Sequence, residues 1–326
     1  MPAWDPQGAG NTHIDVVLTN ISVGFPNEGA VGNVLFPMVG VTKQSNKYYI
    51  FGRESFSVGI QSDARAPGAV ASEIPGMAVS TDNYWAQEHA LQIPITDEER
   101  DTTDSPFSPD RDGTELVTAR ILLAREIAMK NMVTTTANYG SGYSVTLAGT
   151  TQWSDYVNSV PISDWKTGRD KIHSGLFLLP TIGVIPYQVM SKLEDHPDFL
   201  ERIKYVQVGM VTRDIIASLF TIPQIVVPGM GQNTANPGQT AALGYLWGKD
   251  VLMAYVPARP GLKIPAFAYE FNFGYNGGTP MIAERWREEP RKSDLVRVSR
   301  RYDLKFVALD ASSKAIAGYV LKAAVA

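Results

Sequence analysis

Residues Asp112 to Thr134 read D-G-T-E-L-V-T-A-R-I-L-L-A-R-E-I-A-M-K-N-M-V-T, with no proline and no glycine after Gly113. Val117, Ile121, Ala124, Ala128 and Met132 recur at helical spacing, and Leu116, Leu123 and Ile127 widen the stripe. Asp112 with Glu115 three residues on is a capping-box start. A helix of about 22 residues runs about 33 Å, longer than an ordinary globular helix. The remaining segments are expected to hang from it. Arg120, Arg125 and Lys130 fall off the stripe. They are expected to face outward, so that Arg125→Ala leaves the subunit folded while a proline at Leu123 breaks it.

The flanking segments differ from this helix and from one another. Pro2, Pro6, Pro26 and Pro37, with the glycines between Gly8 and Gly40, break residues 1–40 into an arm holding only short apolar runs, Ile14–Val17 and Val34–Phe36. Two strand-like runs follow, Lys47–Phe51 and Tyr84–Ile95. In the second, Trp85, Leu91, Ile93 and Ile95 share a face, with Gln87 and His89 between. Their connection, 57–83, is too long for a compact monomer, and two strands alone are marginal in water. A neighbouring subunit can supply the surface such a hairpin needs. Asp97–Asp101 is a solvated charge run.

Past the helix, Tyr139–Trp153 is rich in Gly, Ser and Thr and marks a lobe boundary. From Ser163 to Val256 helices and strands alternate, as in a mixed α/β lobe. Helices are expected at Ser163–Phe177, Val189–Leu193, Pro197–Ile203 and from Thr212 to Phe220. Strands are expected at Thr181–Ile185, Gln224–Val227 and Val251–Val256, with a flexible loop at Gly229–Gly238. Beyond Phe267 the chain is mainly strand. Val296, Val298, Tyr302, Leu304, Phe306 and Ala308 form one face, and Arg297, Ser299, Arg301, Asp303 and Lys305 the other. Asp310–Lys314 is a turn after which Ile316–Val325 is expected to return alongside. The charges from Glu284 to Lys305 read either as inter-subunit salt bridges or as a solvated sheet face.

Chemistry is sparse. The chain has no cysteine, which excludes disulfides, thiolate metal sites and cysteine nucleophiles. His13, His89, His173 and His196 form no close ligand pair, and no nucleophile elbow or Walker loop occurs. Gly8-Ala-Gly10 lacks the strand and helix a dinucleotide site needs. The net charge of -4 gives no case for gripping nucleic acid, and no apolar run approaches membrane-spanning length. The N-terminus lacks a basic region followed by an apolar run, so no secretion signal is expected. No catalytic residue, cofactor or metal is expected.

The order of parts, with the runs Ile182–Leu193, Arg202–Tyr205, Ile216–Val227 and Leu246–Pro257, resembles the major capsid protein of tailed bacteriophages, of the Hong Kong ninety-seven type fold. That resemblance implies an α+β fold with an N-terminal arm (1–40), an extended β-hairpin loop (41–96), and a peripheral domain (97–159) built on the spine helix 112–134. An axial α/β domain (160–262) and peripheral C-terminal strands (263–326) complete it. It implies self-assembly into hexamers and pentamers of an icosahedral head enclosing double-stranded DNA without sequence-specific binding. A separate scaffolding protein, a portal and a decoration protein are the implied partners. The protein is expected in the virion, assembled in the host bacterial cytoplasm, with no membrane partner. Expected subunit-interface residues are Tyr48, Phe51, Arg53, Arg65 and Trp85 in the loop, Gln232, Asn233 and Asn236 in the axial loop, and Arg285, Arg287, Glu288 and Arg291 in the terminal strands. An encapsulin-like nanocompartment shell is a close variant. A soluble enzyme with a site in the axial lobe is the reading from another class.

Overall fold

The computed structural model describes residues 13–14, 29–53, 64–68, 70, 80–104, 107–204, 211–235, 239–240, 242–275 and 278–326, with backbone alone at 13–14. The first half of the chain contributes β1 (His13–Ile14), α1 (Gly32–Leu35), β2 (Met38–Gly40), β3 (Ser45–Ile50), β4 (Ser80–Trp85), β5 (Gln87–Thr96), α2 (Asp97–Thr102) and the spine helix α3 (Pro109–Thr134). The middle supplies β6 (Ser144–Thr146), α4 (Pro161–Leu176), β7 (Ile182–Val184), α5 (Tyr187–Glu194), α6 (Pro197–Ile203), α7 (Arg213–Phe220) and β8 (Gln224–Val226). Then follow β9 (Gly231–Asn233), β10 (Leu243–Tyr245), β11 (Val251–Ala254), β12 (Ala268–Asn272), β13 (Met281–Glu288), β14 (Ser293–Phe306) and β15 (Gly318–Lys322). Most of the apolar run Ile14–Val17 lies outside the described residues.

Two sheets organise the molecule. The first is centred on β14, which pairs antiparallel with β5 through residues 293–302 along one edge. Tyr302 pairs with both Gln87 and Asn272, so β12 and then β13 occupy the opposite edge in succession. β2 joins β12 in parallel, and β1 joins β13. The spine helix lies on one face of this sheet. Val117 and Ile121 pack there on Ile95, Met281, Ala283, Val296 and Val298. Gly113 lets the helix approach closely: a Cβ on it would stand 3.2 Å from Ile95 Cδ1 and 3.4 Å from Ile93 Cγ2.

The helix starts at Pro109 rather than Asp112, with proline at the position where its missing N–H costs nothing. Asp112 and Glu115 therefore form no capping box; Glu115 instead accepts from Arg111 Nε at 2.9 Å. The buried face is also rotated from the expected stripe. Thr114, Val117, Thr118, Ile121, Arg125, Glu126, Met129 and Val133 are buried, whereas Ala124 and Ala128 are exposed. Thr114 and Thr118 tolerate burial because each hydroxyl donates to the carbonyl four residues back. Arg125 is the clearest reversal. Its side chain is 3% exposed and paired with Glu270, Nε donating at 2.7 Å, and Nη1 donates to Asn33 Oδ1 at 2.8 Å. Arg300, missing from the alternating apolar face of β14, also pairs with Glu270.

The hairpin is seated rather than projecting at its root. β3 and β4 pair from Ser45–Trp85 to Ile50–Ser80, and Ala86 separates β4 from β5. Tyr48 and Tyr84 pack on Phe271 from the face of the sheet away from the spine, at ring-centroid distances of 5.0 and 4.9 Å.

The second sheet has the order β6-β15-β11-β7-β8, antiparallel at β15-β11 and β11-β7 and parallel at its two outer pairs. Trp165 of α4 and Phe220 of α7 stack beneath it with centroids 4.2 Å apart, among Trp153, Ile172, Phe199 and Met253. The helices and strands expected in this lobe lie within a residue or two of their places, but the stretch expected as a flexible loop, Gly229–Gly238, contains β9, which pairs antiparallel with β10 in a ribbon that was not expected. The last strand also departs from its expected place. The chain turns at Asp310 and pairs Leu309 with Ala315, but β15 then leaves β14 and inserts between β11 and β6. The solvated charge run at Asp97–Asp101 forms a short helix, α2, with no buried residue, opened by a capping box between Thr96 and Glu99.

Removing Arg125 leaves Glu270 buried with half its countercharge. Arg125→Ala is therefore expected to lower unfolding stability by about 3–5 kcal/mol, reversing the expectation from the helical stripe; a urea midpoint unchanged from wild type would refute this. Arg120→Ala, on the exposed face, is the neutral control.

Candidate functional site

The candidate site is a set of surfaces, and the residues expected in it fall into three environments. Tyr48 and Phe51 are taken up by the chain's own core, 3% and 2% exposed. The Tyr48 hydroxyl donates to the Phe306 carbonyl at 3.2 Å, and burial first, then Asp82, pushes that phenol upward. Arg53 and Arg65 are exposed, and Trp85 is 61% exposed with its backbone N–H on Asp303 Oδ2 at 2.8 Å. In the ribbon β9-β10, Gln232 is half-buried. Asn233 Oδ1 holds the turn together by accepting from Ala235 N and Ala242 N at 3.0 and 2.9 Å. Asn236 lies outside the described residues.

The charged candidates have partners within the chain. Arg287 grips Asp97 with two bonds of 2.5 and 2.6 Å. Arg285 reaches Asp294 at 2.9 Å, and Arg100 bridges Asp294 and Asp110 at 2.7 and 2.6 Å. Arg291 lies 3.6 Å from Glu288. This cluster ties β13 and β14 to α2 and to the start of the spine helix. The Arg287 hydrogen bond holds the Asp97 carboxyl below its ordinary 3.8. Burial raises Asp294, but its bond with Arg100 and the charges of Arg100, Arg285 and Arg287 outweigh that and hold it low as well.

Large apolar side chains stand in solvent elsewhere: Phe107 (71%), Val157 (88%) and Leu243 (81%). Leu243 and Tyr245 of β10 line an open hollow of about 380 Å³ with Gln188, Gly229, Gly231 and Gly244, and Tyr187 stands 6.2 Å from Tyr245. Sequence reasoning passed over these. The alternation Leu243-Gly-Tyr245 after a glycine-rich loop was the available signal, since a strand with no core to face still alternates.

The enzyme reading required a site in the axial lobe. His196 is 1% exposed, and its Nε2 lies 2.9 Å from Ser159 Oγ, the spacing of a nucleophile–base pair. The hydrogen bonds assign other roles. His196 Nδ1 accepts from Asp198 N at 3.2 Å, so Nε2 carries the proton and donates to Ser159. The serine proton goes to the Asp155 carbonyl at 2.6 Å. A base whose lone pair is committed to a helix cap accepts nothing from the serine. Among the described residues no group of His, Asp and Glu could hold a metal ion, and no helix is long and apolar enough to cross a membrane.

No family model matches the chain. It is 28% identical over 287 residues to the major capsid protein of Burkholderia phage BcepMu, covering 87% of this chain and 90% of that one. A phage-related protein from Bordetella bronchiseptica superposes with a TM-score of 0.73 at 23% identity, covering 95% and 97% of the two chains. The fold is that of phage capsid proteins. The mature capsid of bacteriophage PhiM1 has it too, at a TM-score of 0.50 and 13% identity over 88% of this chain and 85% of that one. Within this capsid fold, the ion cluster around Asp294 is internal bracing, and the exposed apolar residues are what a partner can cover.

Asp97 and Asp294 sit below their ordinary value in the folded chain, so their stabilisation is complete above about pH 4 and is lost as pH falls through the lowered values. Asp97→Asn is expected to flatten the acid limb of a circular-dichroism unfolding profile in that range. A profile superimposable on wild type would show that the Arg287 clamp contributes nothing.

Proposed function

We propose that the chain is the shell-forming structural subunit of a phage head, joining in hexamers and pentamers that close an icosahedral shell around double-stranded DNA. The observation that carries this reading is the match over 287 residues to a phage major capsid protein, in a chain that has the capsid fold. Its relatives are structural proteins and not enzymes. Ring and shell contacts are heterologous, so one subunit must offer unlike patches to its neighbours. Phe107, Trp85 and the Tyr187–Leu243–Tyr245 hollow supply candidates on different elements. Each contact can be weak, because every subunit makes many. Arg53, Arg65, Gln232 and Asn233 are candidate contacts at the loop and the axial ribbon. The net charge of -4 suits an inner wall that must not hold packaged DNA. Assembly would proceed in the host bacterial cytoplasm, with a separate scaffolding protein, a portal and a decoration protein as partners, and the product would be the virion.

The connection between β3 and β4 separates folding from assembly. Replacing residues 57–79 by a short Gly/Ser linker leaves both strands and their seat on Phe271 in place. The variant is expected to fold with a near-native melting temperature yet form no shells by negative-stain microscopy, where the intact chain, with scaffold if needed, forms them. Normal shells from this variant would remove the loop from the interface.

A further inference from the structure

His196 sits at the N-terminus of α6 and belongs to no reading given so far. Its ring is held from three sides. Nδ1 accepts from Asp198 N at 3.2 Å, making the imidazole the cap of α6. Nε2 meets Ser159 Oγ at 2.9 Å. The edges of Tyr156 and Phe199 close on it at centroid distances of 5.5 and 6.2 Å. Ser159 is 6% exposed and anchors the turn that begins at Asp155, whose carboxylate accepts from Val157 N, Asn158 N and Asn158 Nδ2. Beside this latch stand exposed apolar residues: Tyr156 (36%), Val157 (88%), Val160 (49%) and Leu200 (46%).

We propose that His196 is an acid-sensitive latch: while neutral it caps α6 and holds the Asp155–Val160 turn, and on protonation it releases both. The chemistry follows from the acceptor role of Nδ1. An imidazolium is a donor at both nitrogens, so a proton on Nδ1 would face the Asp198 N–H with no lone pair between them. The ring has almost no exposure through which water could solvate the new charge. Asp198 is the charged side chain acting on the ring among the described residues, and it favours the proton. Burial opposes it more strongly and holds the ring below its ordinary 6.5. Asp155 turns its carboxylate to its own turn. The sign is therefore fixed. The unfolded chain takes up a proton on this histidine at higher pH than the fold does, so the latch contributes fully above 6.5 and is lost as pH falls toward the folded value.

His196→Asn is the discriminating variant, because an asparagine side chain caps a helix without titrating near neutrality. The test uses the full chain, with urea unfolding and amide hydrogen exchange measured between about pH 7.5 and 5. In wild type, the unfolding midpoint is expected to drop and the protection of the Val157, Asn158, Ser159 and Asp198 amides, each rate taken relative to its intrinsic rate at that pH, to fall together as pH falls. In His196→Asn that protection is expected to stay flat and the midpoint to fall less steeply than in wild type. His89 is also held low by burial, so His89→Gln serves as control and is expected to leave exchange at 157–159 responding as in wild type. Wild-type protection at these amides that ignores pH, or a His196→Asn chain that keeps the wild-type response, overturns the latch. Should that variant not fold, an NMR titration of the wild-type imidazole decides. Protonation at or above 6.5 with no change in the signals of residues 157–159 also overturns it. The proposal does not rest on the assembly reading and survives its failure.

Discussion

Two adjacent residues near the middle of the spine helix, Arg125 and Glu126, fix how the rest of the molecule meets it. Glu126 accepts from Val31 N at 2.9 Å, from Gly32 N at 2.9 Å and from Trp247 Nε1 at 3.0 Å. One carboxylate thereby satisfies the free N–H groups at the start of α1 and the indole of a residue just before β11. Arg125 faces the first sheet and shares Glu270 with Arg300. The net stabilisation from such buried pairs is small, because desolvation consumes most of the attraction, but each member left unpaired is costly. Their main effect is to penalise every other placement. Sliding or rotating the helix by one residue would leave Arg125 and Glu126 without partners inside the protein and Glu270 with half its countercharge. The surroundings conform closely: a Cβ on Gly32 would come within 2.6 Å of Glu126 Oε2 and 2.3 Å of Met129 Sδ, so any side chain there would displace the carboxylate or the thioether.

This network also explains which parts of the fold were legible in the sequence. The existence of the spine helix and its end at Thr134 could be read from composition and spacing alone, although it starts three residues earlier, at Pro109. Its buried face could not. Periodicity counts apolar residues, and here the inward positions hold Thr114, Thr118, Arg125 and Glu126 while Ala124 and Ala128 look out. The partners that make those polar residues acceptable inside, Glu270, Arg300, Val31 and Trp247, are distant in sequence. The second lobe was read well for the opposite reason. Its elements are short, bounded by Pro, Gly or Thr, and carry dense apolar runs whose burial depends little on distant partners. The fate of β15 shows the limit. A good turn at Asp310 suggests a local return, but Leu252 and Val145 offer the final strand a position buried on both sides. Nothing in the turn encodes that competition.

Several side chains expected to face a neighbouring subunit are taken up by the chain itself. The hairpin was expected to need a surface, and it has one within the chain: Tyr48 and Tyr84 rest on Phe271. Those aromatic residues root the loop, which leaves Arg53, Arg65 and Trp85 as its outward-facing candidates. The arginines of β13 were chosen for their charge density, yet that density is consumed by Asp97, Asp110 and Asp294. A strand rich in both signs is ambiguous from sequence, because the same residues serve an internal brace or a partner equally well. Geometry resolves it here, since bidentate bonds of the Arg287–Asp97 kind leave few donors to share.

The division of labour between charged and apolar residues has a physical logic if the chain assembles as proposed. Charges paired inside the chain hold each element in one register without help from a neighbour, so the fold is complete before any contact forms. Large apolar side chains left outside, such as Leu243 and Tyr187 at the ribbon and Phe107 before the spine helix, gain only when a partner excludes water from them. Burying one such side chain is worth about 1.5–3 kcal/mol, too little to hold two subunits together against the entropy of association. Several unlike patches engaged at once exceed that cost, and engagement at several sites is what closure into a ring requires. Pairing many charges within the chain while leaving apolar surface uncovered therefore favours contacts made several at a time over a single pairwise one.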